Sequence, residues 1–242
     1  MGEAIINERK YAQDLIESIG SIQPSYRDIC YIIRGLHETQ KSKQDILSFL
    51  EDADLSRLKS NKLELKQLVD KIVDNSVKQP LRDMEHISLF KQDVERAQSL
   101  ENIRYQMLMF TLIALGRFKQ QTSERGSTWI RYPIQEIFSL ANIKCRAKTQ
   151  YDMLRKLLEL GYIKLAHDPN NTSICIMGLE REKLESESEP VVQIKEMADL
   201  GLLYRCIVGK PYIKCAVCGR LIPKKSNRQK YCRSCYNKVH EH

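Results

Sequence analysis

The chain has 242 residues, a formal net charge of +8 and 42% hydrophobic residues, which is enough for one large domain or two to three small ones. Its longest apolar run, Met107–Leu115 broken at Thr111, is about half of the roughly 20 residues a bilayer span needs. The opening MGEAIINERKYAQ lacks the basic, apolar and small-residue order of a secretory leader. These features exclude a membrane-spanning protein and predict a cytoplasmic one, whose eight cysteines are not expected to pair as disulfides.

Residues 1–97 read as a helical region. Ile5, Ala12, Leu15, Ile16 and Ile19 share one helix face, with Gly20 as a stop. Ser42 stands three positions before Asp45, ahead of the apolar Ile46–Leu50 patch, which is the spacing of a capping box. Leu65, Leu68, Val69, Ile72 and Val73 follow the i, i+3, i+4, i+7, i+8 rule for a buried face. The acids of this region fall on the polar faces, and no group of them resembles a catalytic constellation.

Residues 98–179 have a more informative order. Leu100–Gln120 is a long apolar helix, Thr122–Ser127 a polar turn and Thr128–Tyr132 a short alternating strand. Pro133 suits the first turn of the helix Ile134–Leu140, because its missing N–H would be unpaired there anyway. After the turn Ala141–Cys145 comes the helix Arg146–Leu160, ended by Gly161. Tyr162–Ala166 and Ser173–Met177 then flank the turn formers Asp168, Pro169, Asn170 and Asn171. Helix, strand, helix, turn, helix, hairpin is the order of a winged helix, a helix-turn-helix with a β-hairpin appended. On the helix Arg146–Leu160, the residues Tyr151, Leu154, Leu157 and Leu158 are expected to face inward. Lys144, Arg146, Lys148 and Thr149 cluster where a recognition helix meets base edges. Asp152 and Glu159 share its open side, and the hairpin tip carries neither Lys nor Arg.

Glu180–Pro190, EREKLESESEP, is an acidic linker with little apolar surface to bury. Residues 191–242 follow as a docking helix and a small module. Met197, Leu200, Leu203, Tyr204 and Ile207 recur at helical spacing until Gly209 and Pro211. Next comes C-x2-C-x13-C-x2-C, formed by Cys215, Cys218, Cys232 and Cys235. A two-residue gap lets both thiolates of a pair face one metal, and two pairs close a tetrahedron suited to one structural zinc ion. Four thiolates leave no open position for water, and residues 219–231 contain no His, so a catalytic metal is not expected. The potentially helical end leaves zinc ribbon and treble clef both open. Cys30, Cys145, Cys175 and Cys206 lack such spacing and are expected as small core residues.

From Leu203 onward ten basic residues face one acid, Glu241, giving +9, so the other 202 residues sum to −1. Lys224, Lys225, Arg228, Lys230 and Arg233 could each meet a phosphate, and Tyr231 or Tyr236 could stack on a base. The expected fold is thus mainly α: helical region, winged-helix-like domain with a small hairpin, acidic linker, and docking helix with its four-cysteine zinc module. The expected partner is nucleic acid, with DNA favoured. The alternative is a protein-interaction adaptor that binds and modulates a complex such as an RNA polymerase or an interference complex. No phosphate-binding glycine loop, paired catalytic carboxylates or Cys–His pair points to an enzyme, and no small-molecule substrate is evident.

The runs SLENIRYQMLMFTLIALGRFK, TWIRYPIQEIFSLANI, LGYI and CAVCGRLI…NRQKYCRSC resemble a group of proteins encoded by phages and prophages of low-GC Gram-positive bacteria. The resemblance covers roughly residues 86–236 and is sharpest at Gly161–Tyr162, Cys218–Gly219 and Tyr231–Cys232. It implies a phage setting, in a bacterial host cytoplasm, and no particular activity. Tyr31–Glu51 and Leu65–Val77 are faintly similar to the helical segment that follows the catalytic core of some phage and plasmid primases. No primase active-site motif is present, so this implies a link to replication and not an activity.

Overall fold

Polar caps set the starts of the first helices. The computed structural model describes residues 5–53, 62–76, 80–123, 127–168, 171–179, 189–209, 212–219, 221–224 and 226–240. They fall into two compact units, Ala4–His86 and Ile87–His242. The first holds α1 (Glu8–Ser18), α2 (Tyr26–Glu38), α3 (Lys43–Asp52) and α4 (Lys62–Ser76). Asn7 caps α1 by accepting from the Lys10 N–H at 2.8 Å. Ser25 and Ser42 open α2 and α3 in reciprocal boxes with Asp28 and Asp45, whose carboxylates accept from the serine N–H groups at 2.8 and 3.0 Å. The Ser42 box is the one its spacing predicts. Replacing Ser42 by Ala is expected to cost about 1 kcal/mol, measured as a lower denaturant midpoint for this unit.

Ile29, Ile32 and Ile33 of α2 meet Ile46 and Leu50 of α3 and Val69 and Val73 of α4 in one core. Leu65, Leu68 and Ile72, expected on the same face of α4, pack only partly buried at its edge. Two acids depart from the expected pattern: Asp93, in the second unit, and Glu8 are buried rather than on a polar face. Glu8 is tolerated because it accepts from Tyr31 Oη at 3.1 Å and from the Arg82 backbone N–H at 3.1 Å, beside the Arg82 guanidinium.

The second unit opens with β1 (Ile87–Leu89), α5 (Lys91–Gln98) and α6 (Ile103–Thr122). Then come β2 (Trp129–Ile130), α7 (Ile134–Leu140), α8 (Ala147–Glu159), β3 (Ile163–Asp168) and β4 (Asn171–Ile176). The unit closes with β5 (Val192–Ile194), α9 (Leu200–Ile207), β6 (Tyr212–Lys214), β7 (Leu221–Pro223) and α10 (Arg233–His240). Every residue of α6 from Met107 to Phe118 is buried, as befits a helix apolar on all sides. Its neighbours are α5, α7, α9 and strands of two sheets. Gly116 lets β4 approach closely: a Cβ there would lie 2.9 Å from Leu179 Cδ1 and 3.2 Å from Ile176 Cδ1.

From α6 to β4 the element order is the expected one, and the three strands form a sheet in the order β2-β4-β3, all antiparallel. Several particulars differ. The divide between units falls before β1, so α5 belongs with α6 and not with the N-terminal helices. A buried ion pair, Asp93 with Arg117, fastens the two. The strands β1 and β5 pair antiparallel, Ile87 opposite Ile194, where no strand was expected. On α8 the inward side is Gln150, Met153, Leu154 and Leu157, whereas Tyr151 and Leu158 are 55% and 40% exposed. The apolar stripe is wider than the contact that α7 and β3 make with it. The cysteines Cys30, Cys145, Cys175 and Cys206 are half-buried rather than core residues, and residues 180–188 of the linker Glu180–Pro190 lie outside the described residues. No described helix is long and apolar enough to cross a membrane.

Candidate metal centre and nucleic-acid interface

The four paired cysteines come together. Their sulfurs all lie within 4.8 Å of one another, and Cys218 Sγ stands 3.9 Å from Cys232 Sγ. A tetrahedral thiolate site with metal–sulfur bonds of about 2.3 Å has sulfur–sulfur edges of about 3.8 Å, so the donors present fit one metal ion. The first pair forms a knuckle between β6 and β7, which pair antiparallel with Ile213 opposite Ile222. Gly219 turns the knuckle with φ +69°, and its N–H donates to the Cys215 carbonyl at 2.9 Å. A left-handed angle of this kind is open to glycine at little cost. The second pair sits at the start of α10, with Cys232 just before it and Cys235 in its first turn. The Ala216 N–H donates to the Lys230 carbonyl at 2.9 Å and ties the two halves together.

Backbone donors also converge on the sulfurs. The Cys232 N–H lies 3.3 Å from Cys215 Sγ, and the Cys235 N–H lies 3.4 Å from Cys232 Sγ. The N–H groups of Cys218 and then Cys232 hold the Cys215 thiol down to about 6. Cys232 is lowered as well, first by the Cys235 N–H. Cys235 is pushed up to about 12, chiefly because it donates to the Cys232 sulfur. Four sulfurs this close cannot all ionise unaided, so some keep protons to donate to others. A shared cation removes that conflict.

Comparison with protein-family models, curated proteins and solved structures returned no match to the chain. The site therefore stands on its own geometry.

The basic residues singled out from the sequence form two surfaces. Lys144, Arg146, Lys148 and Thr149 are all exposed, on the turn into α8 and on its first turn, which carries no acid. In the cysteine module Lys224, Arg228, Lys230 and Arg233 are exposed. Lys225 lies outside the described residues. None of these cations forms an ion pair among the described residues. Further along α8 the picture changes, since Arg155 lies 3.7 Å from both Asp152 and Glu159. Beside them Ile134, Tyr151, Leu154, Leu158 and Leu165 line an open groove of about 310 Å³.

The bonds that hold the turn into α8 are not visible in the sequence. Asn142 adopts a left-handed conformation, φ 54°. Its Nδ2 donates to Asp199 Oδ1 at 2.8 Å, and its Oδ1 accepts from the Leu202 N–H at 3.2 Å. Gly201 packs so closely that a Cβ would meet the Ala141 carbonyl oxygen. Arg104 Nη2 donates to the Lys144 carbonyl at 3.3 Å. The one available signal was an Asn between two predicted helices, a residue that tolerates φ > 0.

Proposed function

We propose that this is a non-enzymatic DNA-binding protein, acting in transcription or replication control, with a winged helix and a basic module folded around one structural zinc ion. The observation that carries this reading is the seven exposed cations Lys144, Arg146, Lys148, Lys224, Arg228, Lys230 and Arg233, none paired to a carboxylate among the described residues. Surface cations without acidic neighbours suit a phosphate backbone. The element order and the β2-β4-β3 sheet support a winged helix, in which the N-terminal residues of α8 meet the major groove. Four thiolates with backbone N–H support are the donor set of structural zinc. The second pair at a helix start supports a treble clef over a ribbon. A phage setting in the host cytoplasm follows from the sequence resemblance.

The test is duplex binding measured across salt concentrations. Four to seven phosphate contacts are expected to lower affinity by about 10²–10⁴ between 50 and 200 mM salt. Binding that is absent, or flat with salt, would sink the proposal. A second reading, a protein-interaction adaptor, is favoured by the C-terminal half of α8. There Arg155 is neutralised by two carboxylates beside an exposed apolar groove, and a DNA-reading face has no use for either. One stoichiometric protein partner, retained in nuclease-treated lysate, would support that reading instead.

A further inference from the structure

The two basic surfaces are joined by a short, fastened path. The turn that presents Lys144 and Arg146 is clamped to the start of α9 through both ends of the Asn142 amide. Asp199, the residue before α9, is itself left-handed, φ 58°, and spends its carboxylate on Asn142 rather than on capping its own helix. Asn142 ties itself to that helix start by accepting at 3.2 Å from the Leu202 N–H, which it shares with the Asp199 carbonyl at 2.9 Å. Close contact of Gly201 with Ala141 leaves no room for a side chain between turn and helix. Along α9, Tyr204 is fully buried and packs on Phe110 of α6 with ring centroids 5.2 Å apart. At its far end the Arg205 guanidinium lies over the ring of Tyr212, in the strand that leads to Cys215.

Chain geometry then limits how far apart the two surfaces can be. Leu202–Ile207 is helical, rising about 1.5 Å per residue. Val208–Cys215 can extend by no more than about 3.4 Å per residue. The cysteine knuckle therefore lies at most about 35 Å from Leu202, which is bonded to the Asn142 side chain of the turn, a reach comparable with one turn of duplex DNA. We infer that α9 couples the turn and the cysteine module into one unit that grips a single turn of duplex, and that Asn142 is the positioning residue for that coupling. This rests on the DNA-binding reading and adds to it the form of the partner: continuous duplex, met twice within one turn. Two contacts on a short tether reinforce one another, because the second binds at high effective concentration. Once the clamp is loosened, each surface still carries its charges but the second contact no longer comes in register.

The experiment is a cycle of four full-length proteins: wild type, Asn142→Gly, Cys215→Ser and the double variant. Each is titrated onto a duplex of about two turns at roughly 50 mM salt, where the cations of the turn alone still give measurable binding. Glycine keeps the left-handed backbone and deletes both hydrogen bonds, so folding is expected to be spared, and thermal melts check this. In the zinc-loaded chain Asn142→Gly is expected to weaken binding about fivefold or more, as the loss of two hydrogen bonds predicts, and to flatten the salt dependence. In the Cys215→Ser background, with no folded module left to couple, it is expected to do nothing. Asp199→Gly, which breaks one of the two bonds, is expected to give a smaller loss with the same dependence on the module. An equal loss with and without the module would make Asn142 a merely structural residue and overturn the coupling alone. A wild-type chain that does not bind duplex overturns the DNA reading as well.

Discussion

Chelating the metal, or replacing Cys215 by Ser, is expected to unfold the module from Tyr212 to His240 and to abolish its share of polyanion binding. The helices of the first unit and the α6–β4 portion of the second should stay folded. The physical reason is the size of the module's own core. Among its described residues only Cys215, Ile222 and Cys235 are buried, with Ile213, Tyr231 and Cys232 packed partly against them. A buried isoleucine contributes about 1.5–3 kcal/mol, while fixing each residue's backbone costs about 1–2 kcal/mol. Structural zinc in small peptides supplies roughly 10–16 kcal/mol, which is the scale this module lacks. Metal content per chain, limited proteolysis and duplex affinity, each measured with and without chelator, check the expectation. A chelated chain whose C-terminal segment stayed protected from protease would overturn it.

The same expectation bears on how charge becomes affinity. Lys224 and Arg228 lie between β7 and the second cysteine pair, and Lys230 and Arg233 flank Cys232. Among the described residues, the link between Ala216 and Lys230 is the backbone bond that crosses the module outside its hairpin. Without the metal these cations would sit on an unfolded tail, and a tail must be ordered before it can present several charges at fixed spacing. Charge alone gives weak association, whereas charge on a fixed frame gives register. Loss of metal should therefore cost more affinity than its change in net charge explains.

The parts of the fold that were legible in the sequence are those whose signals are local. The Ser42 box depends on residues three apart, and the clustering of four cysteines as a candidate metal site on two CxxC pairs. The order from α6 to β4 follows from apolar periodicity broken by Pro133, Gly161 and a cluster of turn residues. What could not be read depends on partners far along the chain. The strands β1 and β5 are three residues each, and neither has a reason to be extended until the other lies beside it. Tyr151 and Leu158 fit an apolar stripe, yet periodicity reports which residues share a face and not whether anything covers that face. Glu8 looks like a surface acid until Arg82 arrives from the end of the same unit. The clamp at Asn142 likewise joins positions 57 and 60 residues apart in sequence, and only the fold reveals it.

The largest loss of stability from a single substitution is expected at Asp93. Its carboxylate takes both prongs of the Arg117 guanidinium, Nε to Oδ2 at 3.0 Å and Nη2 to Oδ1 at 2.9 Å, with both side chains about 5% exposed. The same carboxylate accepts from the Phe90 N–H at 3.1 Å and so starts α5. Arg117 Nη1 donates to Gln120 Oε1 at 3.0 Å, and Gln120 in turn donates to the Leu179 carbonyl at 2.6 Å. One connected network thus joins α5, α6 and the chain just past β4. Asp93→Ala would strand a buried guanidinium that cannot lose its proton, and is expected to cost about 3–5 kcal/mol. Arg117→Met should cost less, because a carboxyl left alone can take up a proton and still accept from Phe90. Replacing both by apolar residues of similar volume should recover much of the loss, since a buried pair is worth little against good packing. Urea unfolding of the two single variants and the double variant measures the coupling directly. Single variants that each cost under about 1 kcal/mol would show the pair to be far more hydrated than its burial implies. Salt separates this effect from function: a pair this enclosed is poorly screened, so the stability loss should hold from low to high salt. The phosphate contacts proposed for Lys144, Arg146 and Lys148 should fade over the same range.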